Sequence, residues 1–133
     1  MQEKKSNLVS RSTARKIYNW CVAEYGRSKL NGRYPNIAFR KGEDWMVNHF
    51  GHYDKEEQSI FLNKDANLTL EDLVRTIIHE YTHYVKHSMR EYDILAKYLS
   101  YDKHPLEIDA RKVERRDYKK CLRYLKEQYN ILE

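Results

Sequence analysis

Residues 69–89 most restrict the fold of this chain, because their apolar side chains repeat with the period of an α-helix. Thr69 stands where a helix N-cap is expected, and Asp72 three residues later makes an acidic variant of the capping box. The sequence therefore predicts a helix from residue 70 to about Met89, with one apolar face turned to the core. The main positions of that face are Leu73, Ile77, Tyr81 and Tyr84.

Three further helices are predicted from apolar spacing and from residues typical of helix ends. The first covers residues 13–25 and is followed by Gly26, a residue favoured just beyond a helix C-terminus. The second covers residues 91–100, and the last begins at Pro105, because proline is favoured at the first helical position. The predicted inner face of the last helix comprises Leu106, Ala110, Val113, Cys121, Leu122 and Leu125.

Between the predicted helices at 13–25 and 70–89, apolar and polar residues alternate in three short stretches that predict β-strands. The third of these is the apolar run at residues 59–63. The chain is therefore predicted to be an α+β protein, with a small, mostly antiparallel three-stranded sheet between an N-terminal helix and the helix at 70–89. The alternating residues are Ile37 and Phe39 in the first strand, and Trp45, Val47 and His49 in the second.

Length and charge indicate one small domain of ordinary composition. The chain has 133 residues, with 25 Lys and Arg against 20 Asp and Glu, for a net charge of +5. We expect a single domain over residues 1–133, with 1–12 flexible and 126–133 as a candidate tail. No apolar stretch reaches the ~20 residues of a membrane helix and no secretory signal is evident, so we expect a cytoplasmic protein without a membrane partner. Cys21 and Cys121 are expected to be reduced thiols.

The sequence His79-Glu80-Tyr81-Thr82-His83, an H-E-x-x-H motif, lies within the predicted apolar helix. Residues four apart share one helix face, so the imidazoles of His79 and His83 can point at the same metal ion. Zinc lowers the pKa of a water molecule that it binds, and the carboxylate of Glu80 beside it can take the proton. The motif therefore predicts a zinc site on this helix.

A catalytic zinc site needs a third protein ligand. His87 is excluded, because it lies eight residues beyond His79 on the same helix, about 12 Å away. Glu107 is the favoured candidate, since it stands in the first turn of the last helix, which could aim its carboxylate at the metal. Asp109 and His104 remain the alternatives.

These motifs resemble those of the gluzincins, zinc peptidases with an H-E-x-x-H helix and a downstream glutamate ligand. More narrowly, the chain is similar to the small single-domain minigluzincins and to compact metallopeptidases of phages and microbes. The resemblance rests on residues 59–63, 79–83 and 104–110, the last with a Pro-x-Glu-x-x-Ala pattern. It extends over about residues 13–125.

The resemblance implies a zincin-like fold and a zinc-dependent endopeptidase acting on a peptide or protein substrate. One zinc ion per chain would be held by His79, His83 and Glu107. Glu80 would then activate the zinc-bound water for attack on the peptide bond.

The resemblance also implies two further elements of a peptidase site. A tyrosine or histidine beyond the zinc helix would stabilise the oxyanion, and Tyr101 is chosen over Tyr98 and His104. An edge strand of the sheet would bind the extended substrate by strand addition. The residues assigned to that strand are Ser59, Ile60, Phe61, Leu62 and Asn63.

The last helix supports an alternative function, because eight basic residues recur along it in pairs. Such a stripe could follow nucleic-acid phosphates, so that the metallopeptidase fold would act on or bind a DNA-bound protein. A solvated helix face is the favoured interpretation. The SprT-like proteases are a weaker match, because their third ligand is usually a histidine. The basic residues are Arg111, Lys112, Arg115, Arg116, Lys119, Lys120, Arg123 and Lys126.

Two other interpretations are less favoured. The fold could serve as a binding module with little turnover, but His79, Glu80 and His83 are all intact. A purely structural zinc site would require cysteines at close spacing, which Cys21 and Cys121 do not offer.

Overall fold

The computed structural model of the protein describes residues 9–41, 49–66 and 68–132. These ranges contain four α-helices and three β-strands, which confirms the α+β class. No helix within them is long and apolar enough to cross a membrane. In chain order the elements are α1 (Arg11–Tyr25), β1 (Asn36–Arg40), β2 (Gly51–Asp54), β3 (Ser59–Asn63), α2 (Leu70–Lys86), α3 (Met89–Ala96), a 3₁₀ turn (Tyr101–Lys103) and α4 (Pro105–Tyr129).

The three strands form one mixed sheet in which β3 lies in the middle. A tight turn at residues 55–58 joins β2 to β3, so these strands pair antiparallel, with Tyr53 opposite Ile60. β1 pairs with the other edge of β3 and runs parallel to it, with Ile37 opposite Ile60. The prediction of a mostly antiparallel sheet is therefore corrected. β1 and β2 lie on opposite edges of β3 and run in opposite directions. Because the turn after β2 reverses the chain again, β3 runs in the same direction as β1.

The central place of β3 also changes the expectation for substrate binding. All five residues of β3 are buried, and both of its edges are hydrogen-bonded to neighbouring strands. A strand can accept an added peptide only along a free edge. Strand addition is therefore not open to the residues assigned to it, which are Ser59, Ile60, Phe61, Leu62 and Asn63.

The second strand differs from its predicted position. It covers Gly51–Asp54, and His49 lies before it rather than within it. Trp45 and Val47 lie outside the described residues.

The bounds of the helices follow from their capping residues. At the start of α2, Thr69 and Asp72 form the predicted capping box. The helix ends at Lys86 rather than Met89, because the backbone of His87 is extended, with φ −111° and ψ 133°. Ser88 then caps α3, which therefore begins and ends earlier than the predicted range of 91–100.

The core is built around α2, which packs against α1, β2 and α4. Its predicted apolar face is confirmed, since Leu73, Ile77, Tyr81 and Tyr84 are fully buried. α4 covers one side of α2 through a face that is buried at four of the six predicted positions. The four are Ala110, Val113, Cys121 and Leu125, whereas Leu106 and Leu122 are half-buried.

Asn31 fastens the loop after α1 to two other parts of the fold. Its side-chain amide donates hydrogen bonds to the carbonyl oxygens of Tyr84 (2.6 Å) and His87 (2.8 Å), at the C-terminal end of α2. Its side-chain oxygen accepts a hydrogen bond from Lys55 Nζ at 3.0 Å, in the turn between β2 and β3. Gln58, in the same turn, donates to the Asn31 carbonyl oxygen. Hydrogen bonds to Asn31 therefore connect the end of α2 with the β2–β3 turn.

Candidate metal centre

The two histidines of the H-E-x-x-H motif meet a glutamate from α4. His79 Nε2 lies 2.7 Å from Glu107 Oε1, and His83 Nε2 lies 3.0 Å from the same oxygen. All three side chains are buried, and one ligand atom from each lies within 4.8 Å of the others. This triad could hold a metal ion.

Local structure explains why Glu107 reaches the histidines. His104 is the N-cap of α4, where its ring Nδ1 accepts a hydrogen bond from the Leu106 backbone N–H at 3.1 Å. The other ring nitrogen lies 2.9 Å from the carbonyl oxygen of Tyr92, and the two rings stack with centroids 4.0 Å apart. Because Pro105 begins the helix, Glu107 falls in its first turn, facing α2.

The two alternatives for the third ligand have other roles in the structure. His104 caps α4, and Asp109 lies 2.7 Å from His87 Nε2 and 2.9 Å from Lys86 Nζ. Among the described residues, only Glu107 joins His79 and His83 in a group that could hold a metal ion.

Each histidine of the triad has a second partner on its other ring nitrogen. His79 Nδ1 lies 2.9 Å from Glu114 Oε1, and Arg75 donates a 2.8 Å hydrogen bond to the other oxygen of that carboxylate. His83 Nδ1 lies 2.9 Å from His87 Nδ1. Partners of this kind fix the orientation of metal-ligating imidazoles.

The triad concentrates negative charge around two imidazoles. Burial opposes ionisation of Glu107, but its contacts with His79 and His83 outweigh that cost and hold the pKa of Glu107 well below its usual range. Burial also disfavours the protonated form of His79, yet the carboxylates of Glu107 and Glu114 raise the pKa of His79 above its usual value. The pocket therefore favours positive charge, which a bound cation would provide.

Glu80 lies at the wall between two cavities. The larger, of about 670 Å³, is lined by Glu80, His83 and Glu107 together with residues of β2 and α3. The smaller, of about 520 Å³, is lined by Glu80 and His79 together with Tyr101. Glu80 is 8% exposed, and its carboxylate forms no hydrogen bond with any residue in the described ranges. Glu80 therefore borders both cavities without being held by a hydrogen bond to a described residue.

Two tyrosines approach the triad. Tyr101, in the 3₁₀ turn, lines the smaller cavity, and burial and the nearby Glu107 raise the pKa of its phenol. Tyr92 donates a hydrogen bond to Glu107 Oε2. Tyr98, the alternative weighed from the sequence, is 80% exposed.

Sequence reasoning did not find Tyr92 or the partners of the two histidines. In the sequence, Glu114 is one of several acids in the last helix, and Tyr92 is one of 12 tyrosines. No local spacing marks these residues, because their contacts depend on how α3 and α4 pack on α2.

The basic residues of α4 lie along its outer side. Arg111 is half-buried, and its guanidinium lies over the ring of Tyr101 at 5.7 Å. Asp117 is buried and paired with Arg116 and Lys120. The exposed basic residues are Lys112, Arg115, Arg116, Lys119, Lys120, Arg123 and Lys126.

Comparison with protein-family models, curated proteins and solved structures gave no match to this chain. The class defined by the fold and the site is therefore an α+β protein with a buried His-His-Glu triad that could hold a metal ion.

Proposed function

We propose that this protein is a zinc-dependent endopeptidase of the gluzincin type. The observation that supports the proposal best is the convergence of His79, His83 and Glu107 on one point, with Glu80 directly beside them. The resemblance of residues 79–83 and 104–110 to gluzincin motifs agrees with that arrangement.

The donor set suits zinc in its catalytic form. Two imidazoles and one carboxylate form a ligand set found in catalytic zinc sites, which leave a further position open. Zinc held by His79, His83 and Glu107 would acidify a water molecule and polarise a carbonyl group. Glu114 and His87 would orient the two imidazoles from behind.

The side chains around the triad would then handle the protons of hydrolysis. Glu80 accepts a proton from the attacking water as the new C–O bond forms, and passes it to the amide nitrogen as the C–N bond breaks. Tyr101, in the smaller cavity, is the candidate donor to the oxygen of the tetrahedral intermediate. Tyr92 holds the second oxygen of Glu107.

The substrate would lie along β2 rather than β3. The β2 residues His52, Tyr53 and Asp54 line the larger cavity. An extended peptide in that cavity would therefore lie beside β2, Glu80 and His83.

The proposal is tested by metal content and peptide cleavage measured on the same preparations. We expect about one zinc per chain, lost in His79→Ala and in Glu107→Ala. Glu80→Gln should retain zinc and lose cleavage of a peptide library read by mass spectrometry, because the amide cannot accept the proton. Glu127→Gln, at an exposed position near the end of α4, is the matched control and should cleave normally. Wild-type cleavage by Glu80→Gln, or no zinc in the wild type after reconstitution, would contradict the proposal.

A second candidate function rests on the exposed basic side chains of α4, which could contact nucleic-acid phosphates. If they do, the affinity for duplex DNA should fall steeply with salt, and replacing Lys119 and Arg123 with Gln should reduce that slope. Absence of binding at low salt would leave these residues as a solvated helix face.

A further inference from the structure

We propose that His87, oriented by Asp109, is a positioning residue of the metal centre that fixes the ring of His83 for metal binding. This inference rests on the proposed function, because it concerns how the triad holds its metal. It assigns a role to a histidine that is not a ligand itself.

The geometry forms a continuous chain of three side chains. His83 Nδ1 lies 2.9 Å from His87 Nδ1, and His87 Nε2 lies 2.7 Å from Asp109 Oδ2. Both histidines are 4% exposed, so water has little access to these contacts. Lys86 Nζ lies 2.9 Å from the Asp109 carboxylate and favours its ionised form.

The direction of the hydrogen bonds follows from the acceptor at the end of the chain. An ionised Asp109 can only accept, so His87 carries its proton on Nε2. The Nδ1 of a neutral His87 is then an acceptor, and His83 must donate to it from its own Nδ1. Nε2 of His83 is then unprotonated, and its lone pair faces Glu107. Metal binding requires an unprotonated ring nitrogen that points in this direction.

The end of α2 explains why the ring of His87 can reach His83. The backbone of His87 leaves the helix in an extended conformation, while its N–H still donates to the His83 carbonyl oxygen at 3.1 Å. Asn31 holds the His87 carbonyl oxygen at 2.8 Å. The position of His87 is therefore set through both its backbone N–H and its carbonyl oxygen.

The two imidazoles of the triad are supported differently. His79 contacts the carboxylate of Glu114 directly, whereas His83 is connected to a carboxylate only through the ring of His87. Replacing the intermediate ring should therefore affect His83 and leave the support of His79 intact.

Three variants test the role of His87 by their zinc affinity, measured by competition with a chromogenic chelator. His87→Leu removes both hydrogen bonds and should weaken zinc binding about 10- to 100-fold. His87→Gln should restore affinity to within a few-fold of wild type, because its amide can accept from His83 and donate to Asp109. Glu127→Gln is the matched control, since its exposed side chain lies near the far end of α4, and it should bind zinc normally.

A second measurement does not depend on how well the leucine variant folds. Nitrogen-15 NMR of the zinc-loaded wild-type protein should show His83 protonated at Nδ1 and His87 protonated at Nε2. Protonation of His87 at Nδ1, or a folded His87→Leu variant with wild-type zinc affinity, would overturn the inference and leave the proposed function standing. A wild-type protein that binds no zinc would instead overturn the proposed function, and this inference with it.

Discussion

Glu107 uses both oxygens of one carboxylate. Oε1 faces the two histidines of α2, and Oε2 accepts a hydrogen bond from Tyr92. The side chain is only 4% exposed, so these contacts replace nearly all of its hydration. A carboxylate held in this way has little freedom to rotate away from a metal.

Tyr92→Phe should therefore weaken zinc binding by about tenfold while leaving the fold intact, because it frees Oε2 of Glu107. The measurement is zinc affinity by chelator competition, with circular dichroism to verify folding. Tyr98→Phe removes a hydroxyl from an exposed ring and serves as the control. Equal affinities in the two variants would argue against this role for Tyr92.

At the scale of elements, β2 lies unusually close to α2. A Cβ atom added at Gly51 would lie 2.7 Å from Thr76 Cγ2 on α2 and 3.0 Å from the carbonyl oxygen of Phe61 on β3. The missing side chain thus lets β2 approach the helix that carries His79 and His83. The distance between the proposed substrate strand and the triad depends on this contact.

Gly51→Ala should destabilise the protein by about 1–3 kcal/mol, because the added methyl group forces β2 away from α2. The free energy of unfolding is measured by urea titration. Adding Thr76→Ser, which removes Cγ2, should recover part of the loss. A Gly51→Ala protein as stable as wild type would show that the two elements are not closely packed.

The elements that the sequence predicted well are those specified by neighbouring residues. The capping box of Thr69 and Asp72, and the spacing of His79 and His83, are local to one helix. The parallel pairing of β1 with β3 is not local, because it depends on the path of the chain between the strands. Glu107 was identified as the favoured ligand since its helix has a clear start.

In the whole molecule, the first and last helices are joined by a buried carboxylate. Asp117 on α4 accepts a 2.7 Å hydrogen bond from Tyr25 at the end of α1, and two 2.8 Å hydrogen bonds from Arg116. The Arg116 guanidinium is the main reason that the pKa of Asp117 falls to about 2. The ionised form is therefore stabilised by folding.

This lowered pKa predicts how stability depends on pH. An unfolded Asp117 titrates near its ordinary value of 3.8, and the folded residue near 2. Its contribution is therefore complete above about pH 4 and is lost as pH falls towards 2. We expect Asp117→Asn to cost about 1–2 kcal/mol near neutral pH, allowing for the exposure of Arg116, and clearly less at about pH 3. Urea titrations at both pH values test this, and a difference that grows on acidification would contradict it.

The contacts of Asn31 have a mechanical consequence for the larger cavity. One side of that cavity is formed by the β2–β3 turn and the other by the segment after α2, and Asn31 binds both. The turn cannot swing outwards without breaking the Lys55 and Gln58 hydrogen bonds to this residue. These hydrogen bonds restrain the mouth of the cavity against widening. Under the proposed function, a substrate segment would therefore have to be unfolded before it entered.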